Sequence, residues 1–136
     1  MTLLRGKRVF YIEDDGNNRA IVQTILEAAG ATLQFDNCGF MEISLRKIKA
    51  FHPDVILLDL MLMSRISGYD VYTTLRLQTQ FITIPIVAVS ASDPEIEIPK
   101  TREIGFAGFI GKPIDVRLFA SQIDTILRGE SVWHIA

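Results

Sequence analysis

Four short apolar runs constrain the fold most, because each ends at or near a residue whose side chain can do chemistry. The runs are residues 9–12, 55–58, 86–89 and 109–110, followed by Glu13, Asp14, Asp59, Ser90 and Lys112. Short apolar runs that alternate with helical patterns are typical of parallel strands buried on both faces. Because ligands bind at the carboxyl ends of such strands, we expect these side chains to converge. Carboxylates, a hydroxyl and an ammonium group there suit a divalent cation and a phosphoryl group.

Length, charge and cysteine content narrow the class of protein. A chain of 136 residues that is 49% hydrophobic fits one domain with a real core. Its net charge of −2 gives no general attraction to nucleic acid, and no apolar stretch approaches the ~18 residues of a membrane span. The first eight residues lack the apolar core of a signal peptide, and the single cysteine, Cys38, excludes an internal disulfide and favours a packing role. We expect a cytoplasmic domain with no membrane or nucleic-acid partner.

Strand and helix patterns alternate along one domain that spans residues 1–136, with a core at about residues 7–128 and a tail at 129–136. Such alternation implies right-handed crossovers and helices on both faces of a parallel sheet. The fourth of five helices is expected to be short, because Pro94 and Pro99 disfavour a helix that contains both. We predict an irregular, mobile acidic stretch over residues 92–98 and a helix over residues 99–104 that begins with Pro99.

Four motifs together carry a family resemblance. They are Ile-Glu-Asp-Asp at residues 12–15, Leu-Leu-Asp at 57–59, Val-Ser-Ala at 89–91 and Gly-Lys-Pro at 111–113. Each motif is weak alone, but with all four in order at strand ends the chain resembles a stand-alone receiver domain of two-component response regulators. The resemblance implies a flavodoxin-like, doubly wound sheet of five parallel strands in the order 2-1-3-4-5. It also implies phosphoryl transfer to an aspartate from a histidine kinase or a histidine phosphotransfer protein.

The resemblance assigns a role to each strand-end residue. Asp59 is the expected phosphoacceptor, a carboxylate nucleophile that forms an acyl phosphate. Mg²⁺, the expected cofactor, keeps several waters and needs few protein ligands. Those ligands are expected to be Asp14, Asp59 and the backbone carbonyl of Met61, with Glu13 holding a metal-bound water. Lys112 is expected to pair with the phosphate, or with Asp59 when phosphate is absent.

Two further residues form the expected switch, and three others receive simpler interpretations. By the resemblance, the Ser90 hydroxyl moves to bond the phosphate and the Phe109 ring turns inward behind it, although Phe109 can also be a core ring. Asp15 is best interpreted as the N-cap of the helix that follows it. His52 and His134 are interpreted as bystanders, one at the opposite end of the sheet and one in the tail.

Three positions depart from the pattern of many receivers. Met63 stands where a proline is common, and Gly68 follows Asp59 by nine residues, so the loop over residues 63–67 is one residue longer. Gly111 replaces a hydroxyl residue that often precedes the lysine. The resemblance also implies a cis peptide between Lys112 and Pro113, although only ~5–6% of such bonds in folded proteins are cis.

The function predicted from these observations is a phosphorylation-dependent signalling switch, not an enzyme, that changes its output face for an unidentified protein target. One alternative is a degenerate receiver that binds its partner without phosphorylation, and the complete set of acids and lysine argues against it. The other is a small aspartyl-phosphate phosphohydrolase. That activity needs an acid placed to activate water, and the position two residues after Asp59 holds Met61 instead.

Overall fold

The computed structural model describes residues 2–62 and 66–136, which form alternating strands and helices. The strands are β1 (Arg8–Ile12), β2 (Thr32–Asp36), β3 (Val55–Leu58), β4 (Ile86–Ser90), β5 (Gly108–Gly111) and β6 (Val132–His134). The helices are α1 (Gly16–Ala28), α2 (Met41–Phe51), α3 (Gly68–Arg76), α4 (Pro94–Ile104) and α5 (Phe119–Leu127). A 3-10 turn at Thr79–Phe81 lies between α3 and β4.

The strands form one parallel sheet in the order β2-β1-β3-β4-β5-β6. Strands β3 and β4 are buried along their whole length because separate apolar clusters cover the two faces of the sheet. This architecture confirms the predicted flavodoxin-like α/β fold and the order of its first five strands. Among the described residues, no helix is long and apolar enough to cross a membrane.

A sixth strand corrects the predicted count of five and the assignment of residues 129–136 to a tail. Val132–His134 pairs in parallel with β5, so that Gly108 lies opposite Val132. A Cβ on Gly108 would lie 2.5 Å from the Val132 carbonyl oxygen, and one on Gly111 would lie 3.0 Å from the Ala136 nitrogen. Gly111, which departs from the family pattern, therefore makes room for the segment that follows β6.

The prediction of a short fourth helix after an irregular stretch is wrong, because α4 is continuous from Pro94 to Ile104. Asp93 is its N-cap and accepts a hydrogen bond from the Glu95 N–H at 3.0 Å. Pro94 occupies the first turn, where its missing N–H costs nothing, whereas Pro99 lies inside the helix. The acidic residues of this segment lie in the first turn of α4 and not on an irregular loop.

Contacts with α3 and the core explain why α4 tolerates an internal proline. The Tyr69 hydroxyl of α3 donates a hydrogen bond to the Glu97 carboxylate. The Lys100 ammonium lies 4.0 Å from the centre of the Tyr69 ring. Thr101 is fully buried, and its hydroxyl donates to the Glu97 carbonyl at 2.7 Å. The bond from Thr101 lies within α4, whereas the burial of Thr101 and the two contacts with Tyr69 are tertiary, and these offset the local preference against an internal proline.

Candidate functional site

A cleft of about 450 Å³ opens at the carboxyl ends of β1, β3 and β5. Its lining includes Glu13, Asp14, Asp59, Met61 and Lys112. The structure therefore brings together the predicted acids, the lysine and the residue predicted to offer a backbone carbonyl. Ser90 ends β4 and is fully buried, and it is the next residue, Ala91, that lines the cleft.

Asp59 follows β3 directly and is almost completely buried. Its Oδ1 accepts a hydrogen bond from the Met61 N–H at 3.1 Å, and its Oδ2 lies 3.2 Å from Lys112 Nζ. Burial, together with the neighbouring Glu13, raises the pKa of Asp59 to about 6. A buried carboxylate held at one oxygen by a cation and at the other by an amide is oriented for attack on an electrophile.

Glu13 is the most deeply buried acid of the cleft, with no exposed surface. Its Oε1 accepts hydrogen bonds from the Tyr11 hydroxyl at 3.0 Å and from Lys112 Nζ at 2.5 Å. Its Oε2 accepts from the Asp14 N–H at 3.2 Å. Burial opposes its ionisation, but the neighbouring Asp59, Lys112 and Tyr11 side chains together outweigh burial and lower the pKa of Glu13. The two acids therefore share one ammonium group unequally, and Glu13 is the one that ionises more readily.

Lys112 comes directly after β5, and its main-chain N–H donates to the Ser90 carbonyl at 2.9 Å, which fixes the start of its side chain. Its ammonium forms ion pairs with Asp59 and Glu13, with only 11% of the side chain exposed. The expected Asp59–Lys112 pair is present, and the shorter contact to Glu13 was not predicted. The Lys112–Pro113 peptide is cis, as predicted.

The expected metal ligands suit Mg²⁺ in kind. Asp14 is half-buried and Met61 is exposed, and both line the cleft beside Asp59. Within residues 2–62 and 66–136, no group of three or more His, Cys, Asp or Glu side chains could hold a metal ion. Mg²⁺ does not require such a group, since it binds through one or two carboxylates and keeps several waters. Hard oxygens from Asp14, Asp59 and a backbone carbonyl fit that chemistry.

The two residues of the expected switch are both fully buried. The Ser90 hydroxyl lies 3.0 Å from the Ser92 hydroxyl and accepts the Ser92 N–H at 3.1 Å. The Phe109 ring belongs to the apolar cluster that also contains Phe106. In this structure Phe109 is a core ring, and the Ser90 oxygen is engaged by its own loop.

Four other residues of the sequence analysis lie away from the cleft or have structural roles. Asp15 is the N-cap of α1 and accepts from the N–H groups of Asn17 and Asn18, as expected. Cys38 is fully buried in the core. His52 is the C-cap of α2, and His134 is part of β6.

Sequence reasoning missed the close approach of Gly68 to Asp59 and the contact that Tyr11 makes with Glu13. A Cβ on Gly68 would lie 2.4 Å from the carbonyl oxygen of Asp59, so only glycine lets α3 approach the Asp59 backbone this closely. Its N–H donates to the Leu60 carbonyl at 3.1 Å. The predicted extra loop residue lies before Gly68, and residues 63–65 of that loop are outside the described residues. The alternation of a strand could have revealed Tyr11, because residues two apart point to the same face.

Comparisons with known proteins identify the family that this fold and cleft define. The family model of the response regulator receiver domain matches residues 9–124. The polar-differentiation response regulator DivK of Brucella ovis is 30% identical over 121 residues, which cover 89% of this chain and 96% of DivK. The chemotaxis response regulator CheY4 of Vibrio cholerae has a similar fold, with a TM-score of 0.76 at 21% identity over 88% of this chain and 98% of CheY4.

A multidomain relative shows that the match is to a domain. A protein-glutamate methylesterase/protein-glutamine glutaminase of Myxococcus xanthus is 32% identical over 105 residues. The match covers 77% of this chain but only 29% of that protein. This chain belongs to the response regulator receiver family of two-component signalling systems. Receiver domains of this family generally act as signalling switches, and in multidomain relatives such as the methylesterase they are one part of a longer protein.

Proposed function

We propose that this receiver domain accepts a phosphoryl group on Asp59, with Mg²⁺ bound in the cleft, and thereby switches its affinity for a protein target. The observation that carries the proposal is the buried network in which Lys112 joins Asp59 and Glu13 at 3.2 and 2.5 Å. Two acids and one lysine held together at the sheet end can offer a nucleophile, ligands for a cation and a partner for a phosphoryl group. Packing alone would not select such a buried group of charges.

The proposed reaction is the transfer of a phosphoryl group from a phosphohistidine. An Asp59 oxygen forms the new O–P bond while the N–P bond breaks, and the histidine nitrogen leaves with the electron pair of that bond. Receiver domains typically bind Mg²⁺ for this step, and here the cation would neutralise charge between the carboxylates and the phosphoryl oxygens. Lys112 moves from Asp59 to a phosphoryl oxygen, so that the ion pair of the resting state is replaced and not lost.

A histidine kinase or a histidine phosphotransfer protein is the proposed donor. An apolar groove lined by Ile21, Ile25 and Val116 lies on the α1 side of the molecule. A neighbouring pocket contains Ile21 and Val116 together with Lys112 and Pro113 of the cleft, so apolar surface leads directly to the acceptor site. Val116 precedes α5 and is 63% exposed. This surface suits the apolar side of a donor helix that carries the phosphohistidine.

The switch proposed for Ser90 and Phe109 starts with the Ser90 hydroxyl bonded to Ser92 and the Phe109 ring in the core. The Ser90 hydroxyl would exchange its bond with Ser92 for one with a phosphoryl oxygen, and the main-chain bond from Lys112 to Ser90 would link that change to β5. Phe109 would move within the core beside it. A cytoplasmic location is part of the proposal, since a single buried cysteine suits a reducing compartment.

Incubation with a small phosphodonor and Mg²⁺ tests the proposal. The expected result is one phosphoryl group per chain, detected by intact mass, with no labelling when the metal is chelated. Asp59→Asn should abolish labelling, whereas Asp54→Asn, at the opposite end of the sheet, should leave it unchanged. No labelling of the wild-type chain would support a degenerate receiver, and steady phosphate release would support a phosphohydrolase. Undiminished labelling of Asp59→Asn would refute the site.

A further inference from the structure

Tyr11 is a buried polar residue of the site for which neither the motifs nor the proposed function gives a role. Its side chain is fully buried, and its hydroxyl lies 3.0 Å from Glu13 Oε1. Lys112 Nζ contacts the same oxygen at 2.5 Å, while the other oxygen of Glu13 accepts the Asp14 N–H at 3.2 Å. Glu13 is therefore held on three sides, and Tyr11 supplies the only one of these contacts that comes from a neutral side chain.

Packing explains the ring of Tyr11 but not its hydroxyl. The ring lies 6.1 Å from that of Phe35 in a tilted arrangement and belongs to the apolar cluster that contains Leu57. A phenylalanine ring would fill the same space, as Phe10 does on the other face of the strand. Burying a hydroxyl is unfavourable unless it is hydrogen-bonded. The hydrogen bond to Glu13 is therefore the feature that distinguishes tyrosine from phenylalanine here.

We propose that Tyr11 is a positioning residue, whose hydroxyl fixes the Glu13 carboxylate so that one oxygen faces Lys112 and the other faces Asp14. This inference rests on the proposed function. A fixed carboxylate keeps the ammonium between Glu13 and Asp59 and orders the main chain of the next residue, Asp14, a proposed metal ligand. Tyr11 thus acts through Glu13 on both the proposed cation site and the position of Lys112.

The substitution Tyr11→Phe tests this role, because it removes one oxygen and keeps the ring. We expect Mg²⁺ to bind the unphosphorylated protein about tenfold more weakly by titration calorimetry, and labelling at saturating Mg²⁺ to be slower by a similar factor. Tyr72→Phe is the matched control. The Tyr72 hydroxyl accepts from Arg76 Nε at 3.3 Å, away from the cleft, so its loss should change neither the Mg²⁺ affinity nor the labelling rate.

A double variant separates positioning from a general effect on the fold. If Tyr11 acts through Glu13, then Tyr11→Phe should have little further effect on Mg²⁺ affinity in a Glu13→Gln background. If Tyr11→Phe lowered Mg²⁺ affinity by the same factor in the wild-type and Glu13→Gln backgrounds, the inference would be overturned. If the double variant does not fold, the single variant decides, because unchanged Mg²⁺ affinity and labelling rate in Tyr11→Phe would also overturn it. A wild-type chain that is not labelled on Asp59 would instead overturn the proposed function itself.

Discussion

Two regions of the sheet are stabilised by different interactions: the cleft at the carboxyl ends of the strands, and the edge formed by β5 and β6. At the cleft, Glu13, Asp59 and Lys112 are charged or titratable groups with little exposed surface. At the edge, Trp133 packs against the apolar core and the Arg102 guanidinium lies 4.6 Å from the centre of the Trp133 ring. Burial penalises the charged groups and favours the apolar ones. Changes at the cleft should therefore affect function at little cost to stability, or even stabilise the fold, whereas changes at the edge should destabilise it.

Gly68 gives the largest predicted effect and marks an exception to that contrast, because at this point the cleft depends on close backbone packing. Gly68→Ala places a methyl group 2.4 Å from the Asp59 carbonyl oxygen and 2.6 Å from the Leu60 Cα, so the backbone must shift. We expect a loss of about 2 to 3 kcal/mol in the free energy of unfolding, measured by urea denaturation. Labelling of Asp59 should also be slower. Gly16→Ala, where nothing lies within 4 Å of the added carbon, is the control and should change stability little.

Trp133 tests the edge directly. Trp133→Ala removes a half-buried ring from the core and from its contact with Arg102, so we expect a loss of about 2 kcal/mol. Labelling of Asp59 should continue in the variant while it remains folded. A variant as stable as the wild type would show that β6 contributes nothing to the fold, and the contrast between the two regions would fail. Ile135→Ala, at an exposed position beside β6, provides a comparison and should have a small effect.

Asp59 tests the other side of the contrast, since removal of a buried charge should stabilise the metal-free protein. Its pKa rises from 3.8 to about 6 on folding. Below about pH 4 the carboxyl is protonated in both states and costs nothing. Between about pH 4 and 6 only the unfolded chain loses the proton, so folding stability falls as pH rises, and above about 6 the penalty is constant. The shift represents about 3 kcal/mol, and burial of the new amide group offsets part of it, so Asp59→Asn should raise stability by about 1 to 2 kcal/mol at pH 7 without Mg²⁺.

The pH profile of that stabilisation identifies its cause. Thermal unfolding of both proteins in a chelator should give equal stabilities at about pH 3.5 and a difference that grows to about pH 6. Lys112 keeps its contact with Glu13 in the variant, so the remaining network is still paired. A stabilisation that is the same at every pH would point to packing, not to the charge of Asp59.

The sequence was sufficient to bring the acids and the lysine of the cleft together, because each of their motifs stands at the end of a strand. Once Asp59 follows one buried parallel strand and Lys112 closely follows another, the topology brings them to the same edge. Strand alternation puts Tyr11 on the same face as Glu13, but the hydrogen bond between them is seen only once both side chains are placed. The close approach of Gly68 to Asp59 likewise depends on how α3 packs, which no local pattern reports.

The sequence was insufficient for the edge because tertiary contacts decide the structure there. The three residues of β6 are too few to show a strand period, and the strand pairs only because Gly108 and Gly111 leave space for it. In α4, packing on α3 overrides a proline that local rules place outside a helix. Local preferences predict a helix or strand well where the periodic pattern runs over many residues, and poorly where one or two tertiary contacts decide the structure.

Substitution of Pro99 gives the smallest predicted effect, and it measures how far the contacts of α4 with α3 offset the cost of a proline inside the helix. Pro99→Ala restores an N–H that can bond the carbonyl four residues earlier, that of Glu95, and it places alanine at an exposed helix position. The full difference in helix preference is about 3 kcal/mol, but the loss of a rigid residue also makes the unfolded chain freer, which offsets part of it. We therefore expect a net stabilisation of about 1 kcal/mol by thermal or urea unfolding.

Pro94→Ala is the matched control, because a proline in the first turn replaces no hydrogen bond, and it should be neutral or slightly destabilising. A loss of stability in Pro99→Ala would mean that the proline ring itself packs favourably, and the account of α4 as a helix held by its neighbours against local preference would be wrong.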